Sequence, residues 1–470
     1  MLVNRLHISA TIRHLASILL GALLFSAHFA NAQQSQLLER AQFGEAPFPI
    51  WSPLSFFERQ TISERFDAQA GDPDALLALY ILASGRYEQR DYENMKKVVD
   101  RFISTLREST DKLLDPWQQG ELLNGAMHHT FFGLRHALKK DDDEPPLASQ
   151  YNADQSALAP IFSSQQFNCI SSSMLYAVLA RKLGFEGKGV MLPSHAFIEL
   201  YLDGKTAEVE TTSPKGFDQH HDEAFYQRAE EWFTPRGITP STYADYLNRE
   251  RIPFWKLATR NMLHQHTHPH RMNDIDRGRL AEISALLDPE YEPAQQNRMH
   301  YLTNEVSQLA EAHQWLDVQR LLEKVLTALV IDAAKFPNNE GLQHNLFWLH
   351  LMAIDAAANL GQIEAFITAI EEAWALSFNT EREQQIKGRA IEGSKQLLTK
   401  LAEREQFDQG PSLLAALEPY LYGNKIFNQN AQWFYNVWAR TYWQSKSWPD
   451  VIATIEDYLA GPYLAEDTSS

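Results

Sequence analysis

The sequence predicts an α+β protein in which one helix leads into a small antiparallel sheet, with mainly helical regions on either side. Three observations predict it. Apolar residues recur at helical spacing before about residue 140 and again beyond Glu223. Between these regions, residues 195–202 alternate strictly: Ala196, Ile198, Leu200 and Leu202 point one way, and His195, Phe197, Glu199 and Tyr201 the other. Asp203-Gly204 then supplies the chemistry of a two-residue hairpin turn.

The chain opens on what reads as an address. Arg5 and Arg13 precede the apolar stretch Leu15–Phe29, and Ala30-Asn31-Ala32 has the small-x-small pattern of a signal-peptidase site. Residues 1–32 are therefore expected to be a signal peptide cleaved before Gln33, leaving a periplasmic or secreted protein. An uncleaved anchor is the alternative. His28 opposes it, because a spanning helix wants about 20 apolar residues. No later stretch is apolar enough to span a bilayer. With 470 residues, 44% hydrophobic and 22% charged, the rest is ordinary globular material for two or three domains. A net charge of -18 argues against nucleic acid or an anionic membrane surface as the main partner.

From Gln33 to about Lys140 the pattern is helical, with Ala75–Gly85 and Tyr92–Ile103 as two amphipathic helices joined around Arg86–Asp91. The acidic run Asp141–Glu144, Pro145-Pro146 and a Ser/Gln/Asn-rich stretch to Ser164 form a linker. Beyond Glu223 helix pairs recur: Gln314–Val330, then Asn345–Leu360 with Ile363–Trp374, and Gln432–Gln444 with Val451–Leu459. The segment Phe366–Glu372 echoes Val451–Asp457. Stacked helix hairpins and a plain helical domain both fit this pattern.

The chemistry is concentrated around the single cysteine. An exported protein with one thiol can form no internal disulfide, so Cys169 asks for a reason. Met174, Leu175, Val178, Leu179 and Leu183 mark one face of a helix that Gly184 ends, and Asn168 is its N-cap candidate. Cys169 then stands in the first turn, where the helix dipole favours a thiolate. Downstream, Leu202 facing Lys205 places Ala207, Val209 and Thr211 opposite Leu200, Ile198 and Ala196, so that two apolar faces coincide. In that register Glu210 lies opposite Phe197, diagonal to His195 and on its face. Cys169, His195 and Glu210 thus supply a nucleophile, a base and a carboxylate to orient the base. Glu208 shares the face one step further away and is the lesser candidate.

The stretch from Phe167 to Gly216 resembles the transglutaminase-like superfamily of papain-like cysteine enzymes. The resemblance is carried by Asn168-Cys169-Ile170-Ser171, His195-Ala196-Phe197 and Glu210-Thr211-Thr212-Ser213-Pro214. The runs Leu175–Gly184 and Leu192-Pro193-Ser194-His195 are similar to a bacterial branch that couples this core to tetratricopeptide-like helices. Glutamate stands where the family usually has aspartate, and Phe197 where tryptophan is common. With the signal peptide read at 1–32 and the N-terminal helical region at 33–145, the resemblance implies a transglutaminase-like core at 146–260 and a tetratricopeptide-like region at 261–470. It also implies amide chemistry on a protein or peptide through a thioester, as protease, amidase or transamidase. The Cys169 backbone N–H is the first oxyanion donor, and Gln165 or Gln166 are side-chain candidates that also read as plain polar loop. Some relatives in that branch lack the cysteine, so a non-catalytic scaffold that binds a partner on its helical surface is the alternative.

No competing motif is present, since there is no Gly-x-Ser-x-Gly, Walker loop, His-Glu-x-x-His or Gly-x-Gly-x-x-Gly, and no cofactor is expected. His264, His266, His268 and His270 would share a face if extended and could then take zinc, copper or nickel. Pro269 interrupts them and no acid or cysteine completes a ligand set, so we read a polar loop and expect no metal.

Overall fold

The computed structural model describes residues 55–85, 88–109, 115–132, 153–219, 221–236, 239–266, 274–377 and 379–463. The signal-like segment 1–32 and the expected linker as far as residue 152 lie outside the described residues; the rest of that linker, to Ser164, is instead a 3-10 turn and a helix, with residues 156–161 buried. The chain divides into two compact units, residues 1–298 and 299–470.

The first unit begins with α1 (Phe56–Ser63), α2 (Arg65–Ala70) and α3 (Pro73–Leu82). Ser55 and Glu58 form a capping box on α1, and Asp72 caps α3 ahead of Pro73, the preferred first helical residue. Leu76 through Leu82 are all buried. The amphipathic helix expected over Ala75–Gly85 is instead a core helix, because apolar residues occupy every side of it. Next come α4 (Gln89–Ser109) and α5 (Pro116–Met127), and α5 runs directly into a π-helical turn, His128–Phe132. A 3-10 turn (Ala153–Ser156) and α6 (Ala159–Ser164) lead to α7 (Cys169–Lys182).

Four strands follow or flank α7: β1 (Glu186–Leu192), β2 (His195–Leu202), β3 (Lys205–Val209) and, much later, β4 (Glu250–Ile252). The sheet is antiparallel throughout, in the order β3-β2-β1-β4. Its hairpin register is the one the sequence predicts from Leu202 facing Lys205 to Ile198 facing Val209, but the ladder ends there: the expected Phe197–Glu210 and Ala196–Thr211 pairs do not form, and the Glu210 N–H turns to Gly216 instead. Asp203 (φ 48°) and Gly204 (φ 76°) both take the left-handed conformation of a type I′ turn. β4 interrupts the region expected to be helical beyond Glu223. Three residues are too few to show a strand period.

Between β3 and β4 lie α8 (Glu223–Phe233) and α9 (Tyr243–Leu247). Their aromatic residues Phe225, Tyr226, Tyr243 and Tyr246 pack on Val190, Leu192 and Phe197, covering the sheet face that carries His195. Phe197 and Glu199 are buried as a result, and on that face of β2 only Tyr201 is exposed. After β4 come α10 (Lys256–His266) and α11 (Asp274–Leu287). With β1 and β2 on one side and α3, α5 and α10 around it, α7 is enclosed, and Ile170 through Ala180 are all buried. The sequence marks one apolar face. Its other faces are alanines, serines and Tyr176, which satisfy their polar groups inside the protein.

Helix α12 (Glu292–Glu311) spans the division between the units. The second unit continues with α13 (Trp315–Ala334), α14 (Glu340–Leu360), α15 (Ile363–Ala375), α16 (Thr380–Glu403), α17 (Gly410–Leu421), α18 (Lys425–Gln444) and α19 (Trp448–Ala460). The helix pairs read from the sequence correspond to α14 with α15 and α18 with α19, and each pair packs together. Phe347, Phe366, Ile386, Leu397, Leu414, Phe427 and Phe434 belong to one continuous core. No helix among the described residues is long and apolar enough to cross a membrane.

Candidate active site

Asn168 sets the position of the thiol. Its Oδ1 accepts the N–H groups of Ile170 (3.1 Å) and Ser171 (3.2 Å), and the Ser171 hydroxyl accepts the Asn168 N–H at 3.0 Å. This capping box starts α7 at Cys169, which is partly exposed, and the cap takes the N–H groups after it rather than its own. The Asn168 amide also donates to Ser156 Oγ at 2.6 Å, so the cap itself is fixed.

His195 opens β2. Its Nε2 lies 2.5 Å from Glu210 Oε2, and Cys169 stands close enough to add to the positive charge on the ring. The histidine side chain is 24% exposed and the glutamate side chain 8%. Burial works against an imidazolium, but the Glu210 charge and the hydrogen bonds with Cys169 and Glu210 outweigh it, holding the His195 pKa well above 6.5. Burial likewise raises Glu210, yet the His195 charge and the hydrogen bonds from His195 and Thr212 bring it down to about 2. Thr212 donates to Glu210 Oε1 from its N–H at 3.1 Å and from its hydroxyl at 2.5 Å. One carboxylate oxygen is thus tied to the loop and the other to the imidazole.

The loop after β3 is pinned from three sides. Thr211 is buried, and its hydroxyl lies 2.8 Å from Ser172 Oγ and 3.0 Å from Ser173 Oγ, both on α7. His128, in the π turn, directs Nε2 to the Thr211 carbonyl at 3.0 Å, and Asn124 donates to the Ser213 carbonyl at 2.8 Å. Glu210 and Gly216 close the loop, with the Glu210 N–H donating to the Gly216 carbonyl at 2.8 Å. Sequence reading missed all of these positioning residues. One signal was available: Ser171-Ser172-Ser173 is a polar run in an apolar helix, and buried hydroxyls need partners.

Glu208 is not part of the His195 arrangement. It holds His221 Nδ1 at 2.6 Å, the Tyr246 hydroxyl at 2.8 Å and Arg249 at 3.2 Å. It also faces Glu199 directly across the strands, and Arg249 and Arg251 reach Glu199 at 3.2 and 2.8 Å to neutralise it. β4 places Arg251 in the sheet beside Val190, next to this pair of carboxylates. Phe197 is sandwiched between the His195 ring at 6.2 Å and the His221 ring at 4.5 Å.

Gln165 and Gln166 are exposed in the loop before Asn168, and Gln165 is left-handed at φ 57° where α6 ends. His264 and His266 fall in the last turn of α10, where the backbone is helical and not extended. His268 and His270 lie outside the described residues. No group of three or more potential ligands for a metal occurs among the described residues.

A family model described as Transglutaminase-like superfamily matches residues 93–229, from α4 into α8, and so takes in the cysteine, the histidine, the glutamate and the π turn. The chain carries a transglutaminase-like domain. No curated protein matches the chain. Among solved structures it is similar to menin, described as revealing the binding site for Mixed Lineage Leukemia (MLL) protein, at 11% identity and a TM-score of 0.33, covering 87% of this chain and 90% of that one. A likeness of that size bears on neither fold nor partner. The cysteine-enzyme family suggested by the transglutaminase-like domain fits the α+β arrangement of α7 and the small sheet.

Proposed function

We propose that this protein is an exported cysteine enzyme that cleaves or transfers amide bonds of a protein or peptide through Cys169, His195 and Glu210. The observation that carries the reading is the placement of one partly exposed thiol at a helix start, beside an imidazole whose Nε2 is held by a buried carboxylate. A scaffold whose thiol served only packing would have no use for that arrangement.

In this reaction the Cys169 sulfur attacks the amide carbonyl carbon, and the oxygen takes up negative charge. The Cys169 backbone N–H stabilises that charge, with Gln165 or Gln166 as a second donor. As the C–N bond breaks, His195 gives its proton to the leaving amine, and a thioester remains. Water or a second amine then attacks the thioester, His195 takes the proton, and the sulfur leaves as thiolate. Glu210 keeps the ring oriented and its charge balanced throughout.

The pairwise packing of α14 with α15 and of α18 with α19 supports a tetratricopeptide-like reading of the second unit, suited to recruiting the protein substrate. Export rests on the signal-like residues 1–32, and N-terminal sequencing of the protein from a bacterial periplasm should begin at Gln33. The catalytic reading is tested with labelled casein hydrolysis and dansylcadaverine incorporation. Both should vanish in Cys169→Ala, and activity that survives the substitution sinks the proposal.

A further inference from the structure

A groove of ≈ 400 Å³ runs between α8 and α9. One wall is a single face of α8, where Glu223, Tyr226 and Glu230 recur at helical spacing. Tyr243 and Ser241 belong to the opposite wall. Ser241 ties the groove to the candidate active site. Its hydroxyl lies 2.9 Å from Ser194 Oγ and accepts the Ser194 N–H at 3.2 Å, and Ser194 is the residue before His195.

The lining has a definite chemistry. Two carboxylates face the groove, and no lysine or arginine lines it among the described residues. Tyr226 is 4% exposed and its hydroxyl has no hydrogen-bond partner among the described residues. The Tyr226 and Tyr243 rings lie 6.1 Å apart, and Tyr243 stacks on Tyr246 at 5.8 Å. From the interior this cluster already holds one guanidinium, since Arg249 sits 4.0 Å over the Tyr246 ring. A second cation entering from solvent would meet the Tyr243 ring and the Glu223 and Glu230 carboxylates, with Tyr226 buried behind them.

We propose that the groove is a subsite for a basic side chain, arginine or lysine, of the peptide substrate, so that the enzyme selects amide bonds near a cationic residue. This rests on the amide-bond reading above. Arginine is the better fit, because its planar guanidinium stacks on tyrosine while hydrogen-bonding a carboxylate.

The test is calorimetric binding of acetyl-Gly-Arg-Gly-amide and its citrulline analogue to the full chain. The arginine peptide should bind roughly tenfold more tightly. Glu223→Gln with Glu230→Gln should erase the preference, and Tyr243→Ala should weaken it. Glu381→Gln with Glu403→Gln, which removes the same charge from exposed positions in the second unit, should leave it intact. Equal or undetectable binding of both peptides overturns the subsite, as does a preference that survives the groove substitutions or is lost equally in the charge control. The amide-bond reading fails separately, if iodoacetamide labelling of Cys169 is indifferent to His195→Ala. Peptide binding still scores the groove in that case.

Discussion

His128 Nε2 donates to the carbonyl oxygen of Thr211 at 3.0 Å, joining the π turn of the N-terminal helices to the residue that follows Glu210. The bond spans 83 positions of sequence and is buried, so nothing from solvent replaces it. Removing a partner from such a pair exposes the cost of an unsatisfied carbonyl, about 1–3 kcal/mol. His128→Ala is expected to lower stability by that amount in urea melts and to slow Cys169 labelling, since Glu210 loses its anchor. His128→Gln, which can still donate, should restore part of both.

Gly216 makes the same point through space instead of hydrogen bonding. A Cβ on it would lie 2.0 Å from the Glu210 carbonyl oxygen. Backbone must move to admit a methyl group there, at a cost of about 1–3 kcal/mol. Gly216→Ala should therefore reduce both the melting temperature and the His195-dependent part of Cys169 alkylation. A variant with wild-type values for both would show that the loop does not position Glu210.

The His195–Glu210 pair predicts a particular dependence of stability on pH. Glu210 is depressed from 4.5 to about 2, so its contribution is complete above pH 4.5 and lost as pH falls through about 2. His195 is raised above 6.5, so its contribution is complete below pH 6.5 and lost as pH rises through its folded-state value. These are two views of one ion pair. The stability difference between wild type and Glu210→Gln should be greatest between pH 4.5 and 6.5 and shrink on both sides. Denaturant melts from well below pH 4.5 to well above pH 6.5 measure it, and a difference that does not vary over that wider span would contradict the pairing.

Labelling by iodoacetamide reads the thiol directly. At pH 6 the His195 imidazolium is available to stabilise a thiolate at Cys169, and His195→Ala removes it. The alkylation rate in the variant is expected to fall at least about tenfold, a change that mass spectrometry of the Cys169 peptide quantifies. Equal rates would mean that the imidazole does not activate the sulfur, and the scaffold reading would then be the better one.

Much of this site was legible because it is local. Asn168 before an apolar run marks a helix start, and Asp203-Gly204 between alternating segments marks a hairpin whose register follows from matching apolar faces. From those two facts Cys169 acquires a position at a helix terminus, His195 one at the start of a strand and Glu210 one just past the end of the next. Periods of 3.6 and 2 are properties of the chain itself, and the sequence determined these elements unaided.

Tertiary structure decided the rest. Whether Glu208 or Glu210 serves His195 depends on Arg249, Tyr246 and His221 claiming Glu208 from elsewhere in the chain. The burial of Phe197 and Glu199 depends on α8 and α9 folding over a face whose alternation alone would suggest an open one. Likewise β4, His128, Ser172 and Ser173 reach the site through partners distant in sequence. Local patterning records which way a side chain points. What it meets there is set by packing between distant segments, where buried charges and hydroxyls must find partners that no local period encodes.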